Sequence, residues 1–196
     1  MPRLSFDERI HSAGQITILA RRFYDVWWLY EGEETRPTII DQMNCFPEFF
    51  RFDIHAHFVA LIMHLAILFE RREDTVNFGA LIAEAESENL IPSQVLAEAS
   101  KQLASVLFLC SKLAILRSNL FSHRSGSMSY DGTFDKAAIT PFQLRDLTDA
   151  GLFIANILLV ARGQQECFFS ETTLDDAKGM LRAIQDSSCG GLTMPD

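Results

Sequence analysis

The stretch LRSNLFSHRSG, at residues 116–126, ends an apolar segment with side chains that are suited to handling a phosphate. An Arg guanidinium presents a planar fork of N–H donors that matches the oxygens of a phosphate. A His imidazole exchanges its proton near neutral pH, and acid–base catalysis uses it more often than any other side chain. Arg117 and His123 therefore form the first candidate site of this chain.

The Arg–His spacing alone is a weak signal, because Arg51 and His57 in RFDIHAH repeat it. On a helix, Arg117 lies about 120° around the axis from His123. The two side chains can converge if the helix end is distorted, if the long Arg side chain swings round, or if a two-fold axis brings in a second copy of the helix. At a helix C-terminus the macrodipole also favours a protonated His123.

The composition predicts that helices position these groups. In 196 residues only 10 Gly and 6 Pro interrupt the chain, and 48% of the residues are hydrophobic. Ser5 with Glu8, and Thr140 with Gln143, fit capping boxes that begin helices. Apolar residues at helical spacing predict helices over about 6–30, 47–70, a short stretch after 75, 92 to the SHRSG sequence, 140–161 and 174–184. The expected fold class is an all-α, up-and-down helical bundle of about five to six helices.

The segment SGSMSYDGTFDKAAI is rich in Ser, Gly and Asp and is predicted as one long loop. Loops of this length are uncommon in compact domains unless they serve a function or are disordered. Tyr130 and Asp131 in this segment are close enough in sequence to orient His123, although loop composition explains them equally well.

The formal net charge of −9 argues against broad, nonspecific binding of nucleic acid, which needs many cations to neutralise phosphates. Any RNA contact is therefore expected to be local, at a small basic site on an acidic body. The N-terminal sequence has no apolar core of a secretion signal, and the apolar runs are shorter than the roughly 18 residues of a membrane span. We expect a cytoplasmic protein without a membrane partner.

The cysteines are isolated along the chain and form no C-x-x-C pair. They are Cys45, Cys110, Cys167 and Cys189. Four cysteines could form two disulfides, but the reduced thiols of a cytosolic protein are the simpler interpretation.

A partly polar stripe follows one face of the second predicted helix. It consists of Asp53, His57, Ala60, His64, Ile67 and Arg71. His57 and His64 could line the cleft opposite Arg117, or belong to a dimer seam or a polar contact inside the bundle. They lie about 10 Å apart along the axis, too far to bind one metal ion without a third element, so we expect no metal site.

Aromatic residues crowd the end of the first predicted helix. They are Phe23, Trp27, Trp28 and Tyr30. They could stack on a nucleobase, but a buried aromatic cluster is the default interpretation in a chain with 16 Phe.

The sequence LRSNLFSHRS at the end of a long helix, followed by a loop and by ITPFQL at residues 139–144, resembles the HEPN superfamily. Within it, the chain is most similar to the abortive-infection U branch, in which an Arg–x5–His precedes an IT-x-x-x-L helix start. The upstream sequence HAHFVALIMHLAILFERREDTVNFGALI also resembles that branch. The similarity covers about residues 45–161 of a single helical domain, 1–196, flanked by an N-terminal helix at 5–31 and a C-terminal helix and tail at 171–196.

This resemblance implies a homodimeric helical bundle that cleaves RNA without a metal or other cofactor, as a toxin or phage-defence effector. Arg117 and His123 correspond to the catalytic pair of the family, and Ser118, Asn119 and Arg124 to residues that bind substrate or assist. Family members usually carry Asn, Asp or His directly after the Arg. Here Ser118 stands in that place and Asn119 follows one residue later. A toxin of this kind would have an RNA substrate and an antitoxin protein as partners.

Attack by the RNA 2′-hydroxyl would leave a 2′,3′-cyclic phosphate and a 5′-hydroxyl, with His123 moving the proton and Arg117 stabilising the charge on the phosphorane. Two other functions stay open at the level of sequence. One is a noncatalytic module of the same fold that binds a nucleotide or a partner protein. The other is a structural homodimer in which the Arg–His pair only caps a helix.

Overall fold

The computed structural model describes residues 4–70, 75–122 and 130–187, and within these ranges all regular structure is helical. The helices are α1 (Phe6–Glu31), α2 (Arg36–Asn44), α3 (Pro47–Phe69), α4 (Phe78–Ser87), α5 (Ser93–Ser122), α6 (Tyr130–Ala137), α7 (Pro141–Ala161) and α8 (Thr172–Asp186). The prediction of an all-α protein is confirmed. The described ranges contain eight helices, however, whereas the sequence predicted five to six.

Two short helices account for the difference between the predicted and observed number. Helix α2 follows the EGEE sequence at the end of α1 and carries Pro37 in its first turn. Helix α6 lies inside the segment that was predicted as one long loop, and that prediction is wrong for residues 130–137. Tertiary contact outweighs the loop-like composition there, because Ala137 is buried and the Phe134 ring stacks on Trp27. Residues 123–129 lie outside the described ranges.

Four long helices build the bundle. Helix α1 packs against α3 and α7, and α5 packs against the same two helices on their other side. The core between them is closed by fully buried side chains from each helix, among them Ile10, Phe58, Leu113 and Ile154. Helix α8 covers α1 and α2. This arrangement brings the end of α3 beside the last turns of α5.

Both predicted capping boxes are present. The Ser5 hydroxyl accepts from the Glu8 N–H at 3.2 Å, and the Glu8 carboxylate accepts from the Ser5 N–H at 2.7 Å. These hydrogen bonds hold the pKa of Glu8 below its usual value. Thr140 and Gln143 exchange the equivalent bonds at 3.1 and 3.2 Å. Each box fixes where a long helix begins, α1 in the first case and α7 in the second.

Two helices are long and apolar enough to cross a membrane, by length and composition only. They are Pro47–Phe69 and the part of α5 at Ser93–Ser118. The sequence expectation differed because it counted uninterrupted apolar runs, whereas whole helices tolerate a few interspersed polar residues. Core helices of water-soluble bundles have the same composition, so the finding is weak evidence for a membrane.

The cysteines only partly follow the expectation of reduced thiols. Cys110 and Cys167 are free, and burial raises the pKa of the Cys167 thiol. Cys45 is disulfide-bonded, which contradicts the expectation. Isolation along the sequence does not prevent two cysteines from meeting in space, because a disulfide depends on the distance and direction of the side chains. Cys189 lies outside the described residues.

The contact between α1 and α7 gives a stability prediction. A Cβ added at Gly151 would lie 3.1 Å from both Cγ2 and Oγ1 of Thr17, which is fully buried and donates its hydroxyl to the Ala13 carbonyl. We expect Gly151→Ala to lower the free energy of unfolding by roughly 1–2 kcal/mol, after its gain in helix propensity. Chemical denaturation measures this change.

Gly179 on α8 provides the matched control, because a Cβ there meets nothing within 4 Å. Gly179→Ala should raise the free energy of unfolding by up to about 1 kcal/mol through helix propensity alone. An equal rise for Gly151→Ala would contradict the close approach of α1 and α7.

Candidate functional site

Arg117 lies in the last turns of α5 and reaches the residue that caps α3. Its Nη1 donates to Oε2 of Glu70, so the two charged groups form an ion pair between the helices. The Arg117 side chain is 35% exposed and that of Glu70 is 16% exposed. The pair therefore sits at the boundary between the bundle and solvent, with the guanidinium on the wetter side.

Glu70 is held in an unfavourable electrostatic position. It follows the buried Leu68 and Phe69, and its N–H closes the last turn of α3 by donating to the Ala66 carbonyl at 2.9 Å. Its second carboxylate oxygen, Oε1, is buried and has no hydrogen-bond partner among the residues that the structure describes. A negative charge at a helix C-terminus also opposes the macrodipole. The guanidinium of Arg117 offsets both effects.

The contact with Glu70 involves one nitrogen of the Arg117 guanidinium. A guanidinium has five N–H donors, and Glu70 accepts from Nη1. The remaining donors can bind a phosphate oxygen while Glu70 fixes the position of the group. Glu70 was not predicted as a site residue, because it lies 47 residues before Arg117 in the sequence. The one available signal was an acidic residue directly after a long apolar helix.

The other residues predicted around Arg117 are only partly described. Ser118 is exposed on the surface of α5. Asn119 belongs to the same helix, and its side chain is not among those described. His123 and Arg124 lie outside the described residues.

His57 and His64 both lie in the seam between α3 and α1. Their rings contact Phe23 of α1 at centroid distances of 5.7 and 5.2 Å. The Nδ1 atom of each ring lies beside a carbonyl of the preceding turn, that of Asp53 at 2.9 Å and that of Ala60 at 2.7 Å. With a rise of 1.5 Å per residue, His57 lies about 20 Å and His64 about 9 Å along α3 from its end.

The surroundings of the two Arg–His pairs differ. Arg51 is 75% exposed and pairs with Glu48 of its own helix at 3.1 Å. His57 belongs to a polar contact with Asp53, whose carboxylate lies 3.3 Å from Nδ1. Burial and the Asp53 charge raise the pKa of Tyr30. Arg51 thus lies at the surface and pairs within its own helix, whereas Arg117 bridges two helices.

A metal centre finds no support in this part of the molecule. Within residues 4–70, 75–122 and 130–187, no three His, Cys, Asp or Glu side chains are grouped so that they could hold an ion.

The fold and the candidate site together define a class of protein, namely a helical bundle that carries an Arg near the end of a long helix. The comparison with protein families then identifies the particular family. The model HEPN_AbiU2, described as AbiU2, matches residues 4–161, and the chain therefore belongs to the AbiU2 family of HEPN proteins. The match includes α1, which packs in the core of the bundle. Neither a curated protein nor a solved structure matches the chain significantly.

The ion pair gives a second prediction. Arg117→Ala removes the ion-pair partner of the largely buried Glu70 carboxylate, and should lower the free energy of unfolding by roughly 1–2 kcal/mol. In the double variant with Glu70→Gln the loss should be smaller than the sum of the two single losses. Urea denaturation of the four proteins in this cycle measures the coupling.

Arg51→Ala is the control for this cycle, because its ion pair is exposed to solvent. Its effect should stay within about 0.5 kcal/mol. Strictly additive losses for Arg117→Ala and Glu70→Gln would mean that the ion pair between these two side chains adds no stability.

Proposed function

We propose that the protein is a metal-independent endoribonuclease that acts as a toxin or phage-defence effector in the cytoplasm. Attack by the RNA 2′-hydroxyl on the adjacent phosphate leaves a 2′,3′-cyclic phosphate and a 5′-hydroxyl. Membership of the AbiU2 family supports a role of this kind. The observation that carries the proposal is the position of Arg117, which Glu70 holds at the end of α5 with donors to spare.

Each residue of the proposed site has a distinct role. Arg117 binds the scissile phosphate and stabilises the charge that develops on its oxygens. His123 moves the proton of the 2′-hydroxyl as a general base. Ser118, Asn119 and Arg124 contact the sugar or a neighbouring phosphate. The reaction requires no cofactor, since the nucleophile belongs to the substrate.

A second copy of the chain is part of the proposal. Ala104, Phe108, Ser111, Ile115 and Ser118 lie within an arc of about 80° on α5, and all five are exposed. Phe108 at the middle of this stripe is 58% exposed. A two-fold axis along the stripe would bury it and would bring together the two helix ends that carry Arg117. This dimer would let the Arg117 and His123 side chains converge, which one rigid helix does not allow.

The runner-up function is a noncatalytic module of the same fold that binds a nucleotide or a partner protein. The ion pair with Glu70 favours it, because a guanidinium that is already neutralised has less attraction for a phosphate. An antitoxin protein is the expected partner of a toxin, and in the noncatalytic case a protein could occupy the same surface.

Cleavage of RNA in EDTA tests the proposed reaction. Purified wild-type protein should generate cyclic phosphate ends, and both His123→Ala and Arg117→Ala should reduce the rate by roughly 10²–10⁴-fold. Arg51→Ala should cleave like the wild type. Equal cleavage by wild type and His123→Ala would exclude His123 as the base, and no cleavage of several RNAs by the wild type would favour the noncatalytic module.

Replacement of the exposed Phe108 tests the dimer. Phe108→Asp places a charge in the proposed interface and should convert the dimer to a monomer in analytical ultracentrifugation, with loss of cleavage. Phe168→Asp is the matched control, because Phe168 is similarly exposed but lies between α7 and α8. A monomeric wild type, or a dimer that survives Phe108→Asp, would contradict the proposed interface.

A further inference from the structure

A pocket of about 400 Å³ opens beside the C-terminal end of α1, where α6 packs against it. Its lining includes three aromatic and three acidic side chains. They are Trp27, Trp28, Phe134, Glu31, Glu33 and Asp135. The volume is within the range of about 300–1,000 Å³ that is typical of small-molecule sites. None of the described residues that line the pocket belongs to the proposed RNA site.

The aromatic rings form a continuous wall. The ring centroids of Trp27 and Trp28 are 5.7 Å apart, and the Phe134 ring lies 5.9 Å from Trp27 at an angle of 17°. Trp27 is only 4% exposed and forms the inner part of the wall, while Trp28 and Phe134 are half-buried. The faces of such rings carry negative potential and attract cations, Trp most strongly.

The charges around the pocket are also negative. Helix α1 ends at Glu31, so its C-terminal carbonyls contribute partial negative charge, and its last turn holds no basic residue. Arg36 pairs with Glu31. Glu33 and Asp135 are exposed, and the structure gives neither of them an ion pair within the residues it describes.

We propose that this pocket binds an organic cation, an alkylammonium or alkylguanidinium group. The aromatic lining attracts the charge, and the exposed Glu33 and Asp135 provide the counter-charge. The same carboxylates repel phosphate, so the pocket does not serve the RNA. The cation can belong to a free polyamine or to a Lys or Arg side chain of another protein, and both sources offer the same chemistry to the pocket.

Tryptophan fluorescence reports on this pocket alone, because the chain has 2 Trp and both line it. The full-length protein is titrated with choline, ethylguanidinium, spermidine and a blocked arginine, and with the uncharged carbon isostere of choline. The cations should cause a saturable change in emission, and the isostere should not. Tighter binding of spermidine than of the blocked arginine would identify a free polyamine as the source, and the reverse order a protein side chain.

Variants of Glu33 and Asp135 test the role of the carboxylates. Glu33→Gln and Asp135→Asn should each weaken choline binding about fivefold, the effect of losing one charge a few ångströms away in a solvated site. Glu98→Gln removes the same charge from the exposed face of α5 and should leave binding unchanged.

Three outcomes would overturn the proposal. They are an absence of saturable change with every cation, an equal response to the uncharged isostere, and an affinity that Glu98→Gln lowers as much as Glu33→Gln. The test does not depend on RNA cleavage, so its result is independent of the proposed nuclease.

Discussion

The close packing of α1 against α3 and α7 is the constraint on which the rest of the molecule depends. Gly151 lacks a Cβ where Thr17 approaches, and this lets the backbones of α1 and α7 come together. With α1 fixed, α5 can pack on the opposite side of α3 and α7 and complete a four-helix core. The end of α3 then meets the last turns of α5, which places Glu70 beside Arg117. The candidate site is thus a consequence of helix packing rather than of one local sequence.

The sequence predicted those parts of the fold that depend on neighbours along the chain. Both capping boxes and the long helices α1, α3, α5 and α7 are local in origin, and all were predicted to within a few residues. Helix α6 was missed because its composition is that of a loop and its stability comes from Phe134 against Trp27 and Phe58. Its existence depends on side chains that are distant in sequence, which no local pattern reveals.

The candidate site was likewise predicted only where it depends on neighbouring residues in the sequence. Arg117 was recognisable from the residue types around it, but Glu70 was not, because an ion pair between two helices is fixed only by their packing. The spacing that drew attention to Arg117 occurs again at Arg51, and only the surroundings separate the two residues. Arg51 pairs with Glu48 in solvent, whereas Arg117 neutralises a carboxylate that the bundle has largely removed from water. Because it is more buried, the Arg117–Glu70 pair matters more than the Arg51–Glu48 pair.

At the C-termini of α1 and α3 the macrodipole disfavours a carboxylate, and at both ends the carboxylate has an Arg partner. Glu70 of α3 pairs with Arg117, and Glu31 of α1 pairs with Arg36. Natural proteins tend to break such local rules at functional sites, where the loss of stability is balanced elsewhere. The C-terminal ends of α3 and α1 differ in the other groups that lie beside the ion pair. At α3 the carboxylate is paired with a guanidinium that is 35% exposed, so an anion is the fitting ligand. At α1 two further carboxylates stand beside aromatic faces, so the fitting ligand is a cation. An acidic protein can therefore present a guanidinium beside one helix end and carboxylates beside another, and the two ends favour ligands of opposite charge.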